Sequence, residues 1–155
     1  MGDYIKDLRK KTKHMPLVLP HSLVILFNDK DEILVEERAD DGLFDFPGGT
    51  IDLEETAEEA AKRELFEETG LITDELELFK VYSGKITHYV YFNGDETYGV
   101  DLVYICRKYH GELKPQLEEV KTLKFYTIDK IPDKMSKRNK QIIIDLNNYL
   151  NNYTI

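Results

Sequence analysis

An α+β fold, a mixed β-sheet with helices before, within and after it, is what this 155-residue sequence predicts. Three features carry that reading. A capped helix, Thr56–Thr69, sits mid-chain between strand-like segments. Asn93-Gly94, the strongest hairpin signal in the chain, separates two apolar stretches. Ser136–Leu150 carries Ile142, Ile143, Leu146 and Leu150 at helical spacing and closes the chain as an amphipathic helix. The length suits one domain, and neither a linker rich in Pro, Gly and Ser nor an internal repeat divides it.

In chain order, Tyr4–Lys13 reads as a short basic helix with Tyr4, Ile5 and Leu8 on one side. Pro16 and Pro20 bracket an extended segment. Leu23–Phe27 and Ile33–Val35 read as two strands around the polar turn Asn28-Asp29-Lys30-Asp31. Phe44–Phe46 is a short apolar stretch that stops at Pro47-Gly48-Gly49. In the mid-chain helix, Thr56 and Glu59 form a capping box and Gly70 occupies the left-handed C-cap position. Leu76–Tyr82 and Ile86–Phe92 follow as strands, with Ile86–Phe92 paired to Tyr98–Arg107 through the Asn93-Gly94 turn, and Val120–Ile128 is a further strand.

Composition sets the chemistry that is open to the chain. Hydrophobic residues make up 41% and aromatics 11%, enough apolar surface for a core despite 33% charged residues. The longest apolar run, Leu23–Phe27, is far too short to span a bilayer. The N-terminal Met1-Gly2-Asp3-Tyr4-Ile5-Lys6 has no secretory apolar region, and Lys6 breaks the myristoylation pattern. A single cysteine, Cys106, cannot form an internal disulfide, which points to the reducing cytoplasm. The formal charge of −9 repels polyanions, so broad nucleic-acid binding is not expected. A small phosphate-bearing substrate stays open if a metal cation bridges the two negative parties.

The Thr56–Thr69 helix supplies the reason to expect one. At 100° per residue, Ala57, Ala60, Ala61, Glu64, Glu67, Glu68 and Leu71 share one sector of about 120°. Small alanines mark the side that packs closely on a sheet, and three glutamates continue that stripe. Like charges at this spacing repel, and they are being carried toward a less watery surface. A solvated Glu-rich face would set the glutamates opposite the alanines, and here they lie together. A hard divalent cation accounts for the arrangement, since Mg²⁺ is held jointly by carboxylates and substrate phosphates. Arg63, four residues from both Glu59 and Glu67, can orient a carboxylate without binding metal. Gly48 and Gly49 let the backbone come close to a ligand.

These residues resemble a known family. Gly49-x5-Glu55-x7-Arg63-Glu64-Leu65-x-Glu67-Glu68-x-Gly70-Leu71 is similar to the complete Nudix box. With roughly 7% for each common residue, its seven fixed positions coincide by chance about once in 10⁸ starting points. The resemblance implies the Nudix fold, an α/β/α sandwich around a mixed sheet in which the box forms a loop–helix–loop. It also implies hydrolysis of the pyrophosphate linkage in a nucleoside diphosphate joined to another moiety, with Mg²⁺ or Mn²⁺ as the cofactor.

Carried over by position, Glu64 and Glu68 resemble the principal metal ligands, with Glu67 sharing the role and the Gly48 carbonyl as a backbone ligand. Glu55 and Arg63 resemble the supports that orient the helix and its carboxylates. The general base is Glu64 in some members and an acid on a later loop in others, for which Glu119 is favoured over Glu118; an exposed loop is the competing reading of that pair. The chain departs from many members at Glu54, where glycine is usual, which bears on the shape of the loop. Arg38 is similar in position to an arginine that contacts phosphate in mutator-type members, and Phe46 to a residue lining the nucleotide pocket. Tyr89, 18 residues past the box, matches a tyrosine of members acting on diadenosine polyphosphates. Ordinary surface and core duties compete for all three.

The proline usual in ADP-ribose hydrolases and the NADH-type extension of the box are both missing. His14, His21, His88 and His110 have no metal-ligand spacing and are expected on the surface or in turns. The substrate class stays broad: nucleotide sugars, oxidised nucleoside triphosphates or diadenosine polyphosphates. A nucleotide-sensing module that binds without cleaving is the alternative, and the full set of box carboxylates favours hydrolysis. A weaker reading takes the basic clusters Lys6–Lys13 and Lys134–Lys140 as guides for an RNA end, against solvated helix faces. Family members are often homodimers.

Overall fold

The computed structural model describes residues 3–153; Met1, Gly2, Thr154 and Ile155 lie outside them, and with them the first residues of the segment read above for a leader. The elements in order are α1 (Asp3–Thr12), β1 (Leu17–Leu26), β2 (Ile33–Arg38), β3 (Phe44–Asp45), β4 (Gly48–Thr50) and α2 (Ala57–Thr69). Then come β5 (Leu71–Ile72), β6 (Glu77–Tyr82), β7 (His88–Val90), β8 (Glu96–Cys106), β9 (His110–Gly111), β10 (Val120–Tyr126) and α3 (Lys137–Tyr153).

The central sheet is mixed. β1 runs parallel to β8 from Leu17↔Thr97 to Leu26↔Cys106, and β4 pairs antiparallel on its other side. β6 and β7 both pair antiparallel with β8. A second sheet has the order β10-β2-β3, and β5 pairs with β9. Both faces of the central sheet are covered where residues 23–26 of β1 run beside residues 103–106 of β8, so these parts of the strands are continuous apolar runs, while the first half of β8 alternates. Leu23, Ile25 and Phe27 of β1 share a core with Val103 and Ile105 of β8 and with Ile142 and Leu146 of α3. Val24 and Leu26 point the other way, to a core built with Tyr104, Cys106 and the α2 residues Ala61 and Leu65. The result is the expected α/β/α sandwich around a mixed sheet.

The caps on α2 form as read. Thr56 Oγ1 accepts from the Glu59 amide at 3.1 Å, and Glu59 Oε2 accepts from the Thr56 amide at 2.9 Å. Gly70 takes a left-handed φ of 79° and donates to the Phe66 carbonyl. The Asn93-Gly94 hairpin also forms, with His88↔Tyr98 and Val90↔Glu96 in register.

Several boundaries differ. Leu17–Leu26 is one strand with Pro20 inside it. Pro20 is tolerated because the β4 ladder begins only at His21; at Pro20 itself the exposed residue offers just its carbonyl, which accepts from the Ile51 amide. β1 and β2 meet at a single Phe27↔Ile33 bridge and then diverge into different sheets. The front of the Ile86–Phe92 segment is a 3₁₀ turn, Gly84–Thr87, with Gly84 at φ 82° and Thr87 donating to the Gly84 and Gly99 carbonyls. Those local bonds compete with the ladder and shorten the strand to His88–Val90. Val120–Ile128 likewise stops at Tyr126 before a 3₁₀ turn.

Candidate active site

A cavity of about 340 Å³ opens between α2, the strands β2, β3 and β4, and the hairpin β7–β8. The inward face of α2 brings Glu64 and Glu68 to its wall. Ala60 and Ala61 are wholly buried one turn earlier, so the helix lies close to the sheet and carries both carboxylates in with it. Glu64 is 3% exposed and Glu68 6%.

The glycine loop fits against them. A Cβ on Gly49 would stand 2.4 Å from Glu64 Oε1, so only glycine leaves room for that carboxylate. The Gly48 amide donates to Glu68 Oε2 at 3.1 Å, and a Cβ there would meet the Ser22 carbonyl at 2.4 Å. Arg63 clamps the arrangement from outside. Its Nε and Nη2 hold Glu55 at 2.7 and 3.0 Å, Nη2 also reaches the Thr50 carbonyl, and Nη1 donates to Glu64 Oε1 at 2.9 Å. Glu55 in turn accepts from the Asp52 amide and sits below the usual carboxylate range, chiefly because of Arg63. Glu67 diverges from its neighbours: it is half-exposed, lies on Arg63 Nη1 at 3.3 Å and does not line the cavity.

A third buried carboxylate joins the two helical ones. Glu36 of β2 is 5% exposed and lines the cavity. Its Oε2 is buried and has no hydrogen-bond partner. Burial, and then Asp45 directly across the strand pair, push the Glu36 carboxyl up to about 8. Burial and the facing Glu36 raise Glu68 well above the ordinary value, and burial also raises Glu64. Each shift has the same origin: negative charge is costly where water is excluded and other acids are near.

The remaining candidates fall in two groups. Arg38 and Tyr89 come together on the cavity wall. Arg38 makes paired bonds to Asp40 at 3.0 and 2.7 Å, and its guanidinium lies 5.6 and 5.7 Å from the Tyr89 and Tyr91 ring centres. The Tyr89 hydroxyl donates to Asp41. Glu118 and Glu119 are exposed at the mouth, where the Glu119 carbonyl accepts from the Ala39 amide. Phe46 is fully buried and belongs to the α3-side core, with one edge on the cavity.

Glu36 went unread in the sequence although a signal was there. Period-two alternation from the buried Leu34 carries position 36 onto the same inward face. A polar floor also went unread. Asp101, 1% exposed, accepts from His21 Nδ1 at 2.8 Å and from Arg138 Nη1 at 2.9 Å, and Arg138 and Asn139 both donate to Asp45 Oδ1. The expectation that the histidines serve on the surface or in turns holds for His14, His88 and His110, which are exposed, and is corrected for His21. His21 lines the cavity from within β1, where parallel pairing sets it opposite Asp101.

Among the described residues no three His, Cys, Asp or Glu side chains converge closely enough to enclose a metal ion unaided. The site nevertheless fits one. Two buried carboxylates, a third with an unpartnered oxygen, and an open cavity suit an ion whose remaining ligands are substrate phosphates and water.

A family model for the NUDIX domain matches residues 19–146, and the chain belongs to that family. The ADP-ribose pyrophosphatase of Methanocaldococcus jannaschii is 31% identical over 145 residues, which cover 90% of this chain and 79% of that protein. A MutT-like protein of Streptomyces ambofaciens is 30% identical over 114 residues, 73% of this chain. The matched stretch spans 66% of that protein's length, and only 33% of a related Bacillus subtilis protein. Among solved structures, a MutT NUDIX hydrolase from Burkholderia pseudomallei superposes with a TM-score of 0.69 at 21% identity, covering 83% of this chain and 97% of that one. At that identity the likeness concerns the fold.

Proposed function

We propose that the protein hydrolyses the pyrophosphate linkage of a nucleoside diphosphate derivative in the cytoplasm, with Mg²⁺ or Mn²⁺ held by Glu64 and Glu68 beside the Gly48 carbonyl. The observation that carries this is the burial of both carboxylates against a glycine loop that has no room for a side chain. When bound, the divalent cation neutralises the diphosphate and acidifies a coordinated water.

The chain's own groups divide the remaining work. Arg63, anchored on Glu55 and the Thr50 carbonyl, fixes the direction of the Glu64 carboxylate. Glu64, or Glu119 at the mouth, takes the proton from the attacking water, a contribution of about 10²–10⁴-fold. Arg38 leaves Asp40 to meet a phosphate oxygen, with Tyr89 and Tyr91 beside it as stacking surfaces for a base or sugar. Glu67, half-exposed, completes the acidic stripe from outside. The name ADP-ribose pyrophosphatase, borne by a relative 31% identical over 90% of this chain, supports a nucleoside diphosphate core in the substrate.

The test is a panel of ADP-ribose, nucleotide sugars, oxidised nucleoside triphosphates and diadenosine polyphosphates, each with and without Mg²⁺. Metal-dependent cleavage of at least one is expected, with Glu64→Gln and Glu68→Gln each losing at least about 100-fold while staying folded. Tight binding without product across the panel would contradict hydrolysis and favour a nucleotide sensor.

A further inference from the structure

Glu36 lies outside the box, and acids approach it from β3, from α2 and from the loop before β10. Asp45 is its direct cross-strand partner. Like charges directly opposite are destabilising in a sheet, and more so where water is excluded. Glu68 faces it from α2, and Glu119 acts on it from the loop before β10. These neighbours differ in how they are satisfied. Asp45 is bonded to Arg138 and Asn139, and Glu68 to the Gly48 amide. Arg38, whose charge acts on Glu36, is committed to Asp40 through two bonds. Of the carboxylates facing one another here, Glu36 is the one that keeps a buried oxygen, Oε2, without a hydrogen-bond partner; elsewhere among the described residues Asp52 Oδ1 and Thr127 Oγ1 do so too. Hydrophobic packing does not explain the residue, since an apolar side chain would continue the buried Ile33–Val35 run at no electrostatic cost.

We infer that Glu36 is a further ligand of the divalent cation, extending the site from the α2 glutamates onto β2. The unpartnered oxygen is then the coordinating atom. The cation offsets the repulsion among Glu36, Glu68 and Asp45, and the two buried glutamates hold it from different elements. The placement is geometrically direct: Leu34, two residues before Glu36, packs with Ala61 and Leu65, so the same strand face runs along α2 toward Glu68. This inference rests on the proposed metal-binding role of the box glutamates.

Calorimetric titration of Mn²⁺ into the metal-free protein tests both. Glu36→Gln, which keeps the shape and removes the charge, is expected to weaken Mn²⁺ binding at least about tenfold. Its unfolding temperature without metal should match or exceed that of the unaltered protein. Glu37→Gln, on the opposite strand face beside Lys121 and Thr122, should leave Mn²⁺ affinity unchanged. Glu64→Gln separates the two claims. If it weakens binding while Glu36→Gln stays within twofold of the unaltered protein, the inference about Glu36 fails and the site reading stands. If neither changes affinity, the site reading itself fails. Loss of folding in Glu36→Gln would also overturn the inference, because the charge would then be supporting the metal-free fold.

Discussion

At the scale of single residues, the floor of the cavity shows what it takes to keep a charge buried. Burial pushes the Asp101 carboxyl up, but the His21 hydrogen bond and Arg138 pull harder, and it ends below the ordinary value of 3.8. Gly99 makes room for it, since a Cβ there would stand 2.2 Å from Asp101 Oδ1. Asp101→Asn leaves Arg138 short of a partner and is expected to cost about 3–5 kcal/mol at pH 7. Because the native carboxyl is the more acidic, its stabilisation is complete above 3.8 and fades as pH falls below that value. Denaturant unfolding of both forms at pH 7 and pH 3 should therefore show the gap narrowing at pH 3; an unchanged gap would contradict the assignment. This trio was invisible in the sequence because Asp101 lies 80 residues from His21 and 37 from Arg138. Glu64, Glu68 and Arg63 were legible because one helix carries all three, and helical spacing alone sets their faces.

At the scale of elements, α2 and the loop before it form a local unit. Helix, capping box and left-handed C-cap matched the reading of Thr56–Thr69 because each depends on residues within a few positions of one another. The loop holds its shape at a cost: Glu54, a residue with a Cβ, adopts φ 63°. Glu54→Gly is expected to stabilise by about 1 kcal/mol, raising the unfolding temperature by about 2–4 °C. Thr56→Ala should lose about 1 kcal/mol with its cap. A fall in the unfolding temperature of Glu54→Gly would show that the side chain earns its place by a contact. The strand boundaries were less legible. Pro20 stays inside β1, and Gly84–Thr87 leaves the sheet, because in each case non-local pairing or a local turn bond overrides strand propensity.

At the scale of the whole molecule, the sandwich explains how an acidic protein forms an acidic cavity. Two helices cover opposite faces of the mixed sheet, and the cavity forms where α2, the β2–β3 edge and the β7–β8 hairpin meet. Charge of −9 over the chain, with Glu36, Glu64 and Glu68 buried together, makes a cation the agent that the proposed function requires to bring a phosphate-bearing substrate into this site. The most direct measurement is an anomalous difference map from a crystal soaked in Mn²⁺. A peak between the α2 glutamates and Glu36 is predicted, with these carboxylates drawn in around it from their metal-free positions. Full diffraction with no peak there, and those side chains turned to solvent, would contradict it.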